Sequence, residues 1–275
     1  MENLSRKVVE FRNVNFGYTK KICNIKNVSF DIYENEFVCI IGHNGSGKST
    51  ISKLLTAILK PWNGIIKIYG NLIDKSTKNH VGIIFQNPDN QFVGLTTLDD
   101  IAFGLENKQT LPSDIGKIIK RISKMLNIED LLDKEPINLS SGQKQKVAIA
   151  SILAIEPDIF IFDESTSMLD PISKIEIRNL MLELKNKYKK TVISITHNMD
   201  EVVTADKVFV MEGGCLVKTG VPKDIFSNYE ELVKLKLDLP FYTQISLHLS
   251  ESKTNPNLIF SKEELFEVIK NYGKK

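Results

Sequence analysis

The chain has 275 residues, of which 42% are hydrophobic and 25% charged, and its 36 basic and 34 acidic side chains leave a formal net charge of +2. Those proportions are those of a globular protein and exclude disordered and fibrous classes, and so small a net charge argues against nucleic acid as a partner. No apolar run approaches the 18 residues of a membrane span, the N-terminus lacks the apolar stretch of a secretory signal, and Cys23, Cys39 and Cys215 stand isolated, so a soluble chain in a reducing cytoplasm is expected.

In chain order, residues 36–41 read as a buried strand and 48–59 as the helix after it. Pro61-Trp62-Asn63-Gly64 forms a turn before strands at 65–69 and 81–85. From about 97 the character becomes helical, with Ile115, Ile118, Ile119, Ile122, Met125 and Leu126 at helical spacing; this insertion runs to about 155. Strand patterning returns at 159–162, 191–195 and 208–211, with a helix over 173–188. Short helices are expected after Gly220, and Ser261-Lys262-Glu263-Glu264 is a capping box ahead of 265–269. The fold class is α/β. A core domain spans 1–220 with the helical subdomain at about 97–155 inserted, and a helical extension covers 221–275.

Gly42-His43-Asn44-Gly45-Ser46-Gly47-Lys48-Ser49 fits G-x-x-x-x-G-K-[ST] between an apolar strand and a helix. Glycines let successive backbone N–H groups curl around a phosphate, and the helix N-terminus adds its partial positive charge. Lys48 would reach the β- and γ-phosphates, and the Ser49 hydroxyl is a hard oxygen ligand for Mg²⁺. Residues 42–49 and the adjoining Thr50 are therefore the expected ATP-binding segment, within which His43 reads as filler. Farther along, the apolar run 159–162 ends in Asp163-Glu164. Asp163 suits a Mg²⁺ partner, and Glu164 a general base for the attacking water.

Between these motifs stands Leu139-Ser140-Ser141-Gly142-Gln143. It resembles the L-S-G-G-Q signature of ABC-type ATPases, and the other markers of that family match in order. Tyr18 resembles the aromatic that stacks on adenine and Gln86 the Q-loop glutamine, a catalytic and metal-site residue. Ser167-Met168-Leu169-Asp170 resembles the D-loop and His197 the switch histidine. The similarity covers about residues 7–225. A narrower resemblance, to the ATP-binding subunits of energy-coupling factor (ECF) transporters, rests on two stretches: Phe85-Gln86-Asn87-Pro88-Asp89-Asn90-Gln91-Phe92, and Asp99-Asp100-Ile101-Ala102-Phe103-Gly104-Leu105-Glu106-Asn107. Asp163-Glu164-Ser165-Thr166-Ser167-Met168-Leu169-Asp170-Pro171 is similar to the first of the two ATPases in such complexes.

The resemblance implies an ATPase that drives import of vitamins or transition-metal ions, with Mg²⁺ as cofactor. It implies a second homologous ATPase, a paralogue or an identical copy, facing this one head to tail. Ser140, Ser141, Gly142 and Gln143 would then act on the partner's ATP, while Glu164, His197 and Gln86 serve this chain's own. The other implied partners are a transmembrane coupling subunit and an integral substrate-binding subunit, which would hold the chain peripherally at the cytoplasmic face of the membrane. The ATPase of an ordinary binding-protein-dependent importer is the alternative; a chromosome-structuring ATPase would need long heptad coiled coils that this sequence lacks. Ser141 departs from the family pattern, replacing a glycine with a side chain that would crowd the γ-phosphate or restrict a backbone needing open dihedrals. Lys144 and Lys146 read as a solvated helix face. The surface around 87–92 and 97–103 is the expected docking groove for the membrane subunit, and Leu232, Val233, Leu235, Leu237 and Leu239 are expected to pack on the partner ATPase or to fold back on their own domain, the partner being favoured.

Overall fold

Two sheets of different character divide the chain. The computed structural model describes residues 6–74, 77–227, 229–249, 259–260 and 262–272. β1 (Lys7–Phe16) and β2 (Ile25–Tyr33) pair antiparallel, β3 (Phe37–Ile41) leaves for the second sheet, and α1 (Lys48–Leu55) follows it. β4 (Asn63–Ile68) returns to β1 and β5 (Asn71–Leu72) closes the first sheet in the order β2-β1-β4-β5. β6 (Val81–Ile84) lies at one edge of the second sheet. Then come the helices of the insertion, α2 (Thr97–Asn107), α3 (Pro112–Leu126) and α4 (Ser141–Ala154). β7 (Ile159–Asp163), α5 (Pro171–Asn186), β8 (Thr191–Ile195), α6 (Met199–Val202), β9 (Lys207–Glu212) and β10 (Cys215–Gly220) complete the six-stranded order β10-β9-β3-β8-β7-β6. Its strands run parallel except for the antiparallel edge strand β10.

Both faces of this second sheet are covered, which is why its strands read as unbroken apolar runs. Phe37, Cys39 and Ile41, with Phe160, Phe162, Val208 and Val210, face the helical side among residues of α2, α4 and α5. Val38 and Ile40, with Ile159, Ile161, Phe209 and Met211, face α1 and the antiparallel sheet. Parallel order also sets the carboxyl ends of β3, β8 and β7 side by side, in register from Phe37 opposite Val192 and from Ile159 opposite Thr191. The phosphate loop, Asp163-Glu164 and His197 all emerge there, at the edge where α/β sheets bind ligands.

The expected elements are present with adjusted ends. α1 stops at Leu55, before the expected 59, because the Thr56 hydroxyl turns back on the Ser52 carbonyl and Ala57 takes a left-handed conformation (φ 54°). β4 starts at Asn63 and ends at Ile68, where Tyr69 turns left-handed (φ 50°). β1, β2, β5, β10 and α6 are additions to the sequence reading.

The extension forms α7 (Pro222–Phe226), α8 (Tyr229–Lys234), α9 (Phe241–Leu249) and α10 (Lys262–Tyr272). Its leucines correct the expectation of packing on a partner. Leu232, Leu237 and Leu239 are buried in the same core cluster as β9 and α5, and Leu235 packs against it, leaving Val233 exposed. Burying these side chains within the chain removes apolar surface from water without a second subunit. Ser261, the expected first residue of the capping box, lies outside the described residues; Glu264 accepts a hydrogen bond from the Phe260 N–H (2.8 Å).

Candidate active site

A cleft of about 220 Å³ at the carboxyl edge of the parallel strands is lined by Tyr18, Asn24, Asn44, Gly45, Gly47, Lys48, Ser49, Thr50 and Glu164. Its floor is the loop after β3. Gly47 is the N-cap of α1 at φ 105°, a conformation that suits glycine, and it offers α1 no side-chain cap. By contrast α2, α4 and α5 are capped by Thr96, Ser140 and Asp170. The first N–H groups of α1 therefore have no side-chain acceptor where the helix dipole is most positive, which fits a phosphate. Gly42 packs behind the loop, where an added Cβ would lie 2.2 Å from the Met211 carbonyl oxygen. The Ser46 N–H donates to the His43 carbonyl (3.1 Å), the Gly214 N–H donates to the Ser46 carbonyl (3.1 Å), and the buried Ser46 hydroxyl has no hydrogen-bond partner. His43 contributes its carbonyl to this loop geometry.

Lys48 is buried, and its ammonium donates to the carbonyls of Gly42 (2.7 Å) and His43 (3.1 Å). Burial pushes its pKa down, while Glu164 and Asp163 hold it up. Asp163, buried at the end of β7, accepts from Ser49 Oγ (3.0 Å) and Ser52 Oγ (2.7 Å). Burial raises its carboxyl above the ordinary value, and the two serine donors oppose that shift.

One residue later the chain turns left-handed at Glu164 (φ 52°). Successive side chains of a strand point to opposite faces, and this turn brings the second carboxylate round to the first. Glu164 Oε1 then lies 3.9 Å from Lys48 Nζ and 3.0 Å from His197 Nε2. The Glu164 N–H donates to the Ile195 carbonyl (2.8 Å), fastening the turn to β8.

Gln86 joins this centre through Ser167: its amide donates to Ser167 Oγ (3.2 Å), which donates to the Glu164 carbonyl (2.8 Å). Tyr18 stands 56% exposed at the rim, edge-on to Phe16, with its hydroxyl 3.2 Å from Thr50 Oγ1. Asn24 went unnoticed in the sequence, where nothing marks it. Its Oδ1 accepts the Tyr18 N–H (3.2 Å) and so sets the aromatic's backbone beside the cleft.

The signature residues are not in this cleft. Ser140 caps α4, accepting from the Gln143 N–H (3.3 Å), and Gln143 accepts the Ser140 N–H in return (3.0 Å). Gly142 faces Asp170 and Ser173 of the same chain. Asp170 caps α5 through the N–H groups of Ile172 (3.0 Å) and Ser173 (3.1 Å), and the Ser173 hydroxyl bond is the main cause that holds its carboxyl below the ordinary value. Ser141 is the first residue of α4 and is absent from the left-handed residues. A serine fits this helical backbone without strain, so its side chain can act only by crowding a ligand. Lys144 and Lys146 are corrected too: their side chains are 15% and 21% exposed and paired with Asp89 (2.7 Å) and Glu176 (2.8 Å).

Among the described residues no cluster of three or more His, Cys, Asp or Glu side chains forms a metal cage. The donor set suits Mg²⁺ shared with a nucleotide: one carboxylate, Asp163, and one hydroxyl, Ser49, both hard oxygen donors, meet 3.0 Å apart beside the loop.

Comparison with known proteins agrees with this geometry. Residues 25–167 match the ABC transporter family. The "Energy-coupling factor transporter ATP-binding protein EcfA1" of Ureaplasma parvum is 54% identical over 97% of this chain and 92% of that protein. The EcfA protein of Malacoplasma penetrans is 53% identical over 98% and 96%. Among solved structures, cbiO1 from Clostridium perfringens, described as part of the ABC transporter complex cbiONQ, superposes with a TM-score of 0.73 at 36% identity over 84% of this chain and 95% of that one. The ATP-binding cassette MJ0796, a dimer bound to ADP and Pi, gives 0.72 at 28% identity over 78% and 98%. A phosphate loop, a buried Asp163 and a Glu164–His197 pair at the carboxyl edge of a parallel sheet thus accompany sequence identity along nearly the whole chain, and the chain belongs to the ABC transporter family, among the ATP-binding subunits of energy-coupling factor transporters.

Proposed function

We propose that the chain hydrolyses MgATP in this cleft with Glu164 as general base, and that two such cleft-and-signature halves, one from each of two ATPase subunits, complete every site. As an ECF ATP-binding subunit the chain is an ATPase coupled to an importer. The observation that carries the catalytic reading is the placement of Glu164 Oε1 between Lys48 Nζ (3.9 Å) and His197 Nε2 (3.0 Å) at the mouth of the phosphate loop. A carboxylate there accepts the proton of a water attacking the γ-phosphorus while the bond to the bridging oxygen breaks and ADP leaves. Lys48 and the first N–H groups of α1 take up the charge of the phosphates. His197 holds the Glu164 carboxylate, and Gln86, through Ser167, holds the turn that carries it. Ser49 and Asp163 would hold Mg²⁺, which would supply neutralisation of phosphate charge. Tyr18 stacks on the adenine, a contact worth about 1 kcal/mol.

The signature's separation from the cleft supports a facing subunit, as do exposed Met168 and Ile172 on either side of Asp170. A paralogous ATPase is the favoured partner and a second identical copy the alternative. No helix of the described residues is long and apolar enough to cross a membrane. The motion is therefore received by a transmembrane coupling subunit, with an integral subunit that binds a vitamin or a transition-metal ion, at the cytoplasmic face. Exposed Val93, Leu95, Leu98 and Phe103, on and beside α2, suit the docking of that coupling subunit.

The test is Glu164→Gln in the assembled transporter. An amide keeps the shape but cannot act as a base, so phosphate release should fall by about 10²–10⁴-fold while a fluorescent ATP analogue still binds. Hydrolysis at the wild-type rate would rule Glu164 out and make His197 the next residue to replace.

A further inference from the structure

A second buried carboxylate lies behind the Glu164–His197 pair and is used by none of the chemistry above. Glu201 belongs to the single turn of α6 and is 1% exposed. Its Oε1 accepts the Ser194 hydroxyl, and its Oε2 accepts the hydroxyls of Thr166 and Thr196, each at 3.3 Å. All three donors are themselves buried. They come from two strand ends: Thr166 follows Glu164 by two residues, Ser194 lies in β8, and Thr196 immediately precedes His197. Thr196 Oγ1 also accepts the Asn198 N–H (3.0 Å), so the segment that carries His197 is bound from both sides.

This is an expensive way to fill space. A carboxylate without water costs several kcal/mol unless hydrogen bonds replace its hydration, and an aliphatic side chain of the same volume would pack there without that penalty. Burial accordingly pushes the Glu201 carboxyl above its ordinary value against the pull of its hydroxyl donors. What the carboxylate supplies, and a leucine would not, is a directional link between two backbone segments. We propose that Glu201 is a positioning residue for hydrolysis: by gripping Thr166 on one strand end and Ser194 and Thr196 on the other, it fixes the distance between Glu164 and His197. The inference rests on the reading of Glu164 as general base with His197 as its support.

The mechanism sets the test. Displacing a catalytic group by about 1 Å costs up to about 10²-fold in rate, whereas the hydroxyls that Glu201 binds belong to the segments around Glu164 and His197 and not to the phosphate loop that governs nucleotide affinity. In the assembled transporter, Glu201→Leu should lower kcat about 10–100-fold with KM for ATP nearly unchanged. Glu201→Gln, which keeps an acceptor oxygen in place, should restore most of that loss. Thr196→Val should lower kcat by itself and add nothing to Glu201→Leu, since both remove the same link. A merely structural Glu201 would move the melting temperature and leave kcat alone, so kcat within about twofold of wild type in Glu201→Leu and Thr196→Val overturns the proposal. If Glu201→Leu does not fold, Thr196→Val decides by the same threshold. Glu164→Gln measured alongside separates the two failures: if it also keeps the wild-type rate, the general-base reading falls and this inference with it. If Glu164→Gln alone loses turnover, only the link is wrong.

Discussion

The phosphate loop and the signature segment each open a helix, α1 and α4, yet the chain builds the two N-termini in opposite ways. At α1 the cap is a glycine with no side chain to offer, and the side chains nearby, Lys48, Asp163, Glu164 and His197, face one another inside one chain. At α4 the cap is Ser140, whose hydroxyl and backbone N–H are both engaged by Gln143, and both Ser140 and Ser141 are exposed. The first gathers its groups from α1, the end of β7 and the loop after β8, brought to one edge of a sheet. The second is a local feature of five residues, finished as soon as its helix forms. A site assembled from distant elements depends on the fold, and a locally finished one can be presented to another chain without rearrangement.

That contrast can be broken at either end. The largest effect belongs to Lys48→Ala, which removes a buried charge and a positioning donor and should abolish ATP binding by the separated subunit in a fluorescent-analogue titration. Near-normal affinity would contradict the loop's assignment. Asp163→Asn should come next, lowering Mg²⁺-dependent nucleotide binding as well as turnover; loss of turnover with unchanged Mg²⁺ dependence would remove Asp163 from the metal site. Ser140→Ala should spare ATP affinity in the separated subunit and lower phosphate release in the assembled transporter. Loss of the cap should also cost about 1 kcal/mol of stability in a denaturant titration. If the separated subunit lost affinity too, the signature would be serving its own chain's nucleotide. The smallest change is expected from Ser141→Gly, a few-fold rise in assembled turnover with no change in the separated subunit's affinity. A fall would show the serine to be an adapted part of the site.

The same division governs what the sequence reveals. The phosphate loop, the apolar runs of β3, β7 and β8, and the acidic pair are legible because each is a short contiguous pattern. β1 and β2 are not, because register shifts at Phe11/Val14 and Val14/Phe16 break the alternation that marks a half-buried strand. Edge strand β10 is half-exposed along its length and lacks an apolar run. Lys144 and Lys146 look solvated because their partners, Asp89 and Glu176, are distant in sequence. The C-terminal leucines show that they must be buried but not against what. Glu201 is the hardest case: a glutamate on a short helix reads as surface, and only the meeting of β7 and β8 turns it inward.

The left-handed backbone of Glu164 has an evolutionary consequence. Glycine and asparagine occupy that conformation with least strain, and holding a glutamate in it costs about 1 kcal/mol. Chemistry and conformation thus ask for different residues at one codon. In a duplicated gene released from selection for turnover, this position should be among the first to drift, toward Gly or Asn, and the drifted copy would fold more stably than its active parent. Paired ATPases that share their work unequally have in this residue a cheap route to a silent, well-folded half.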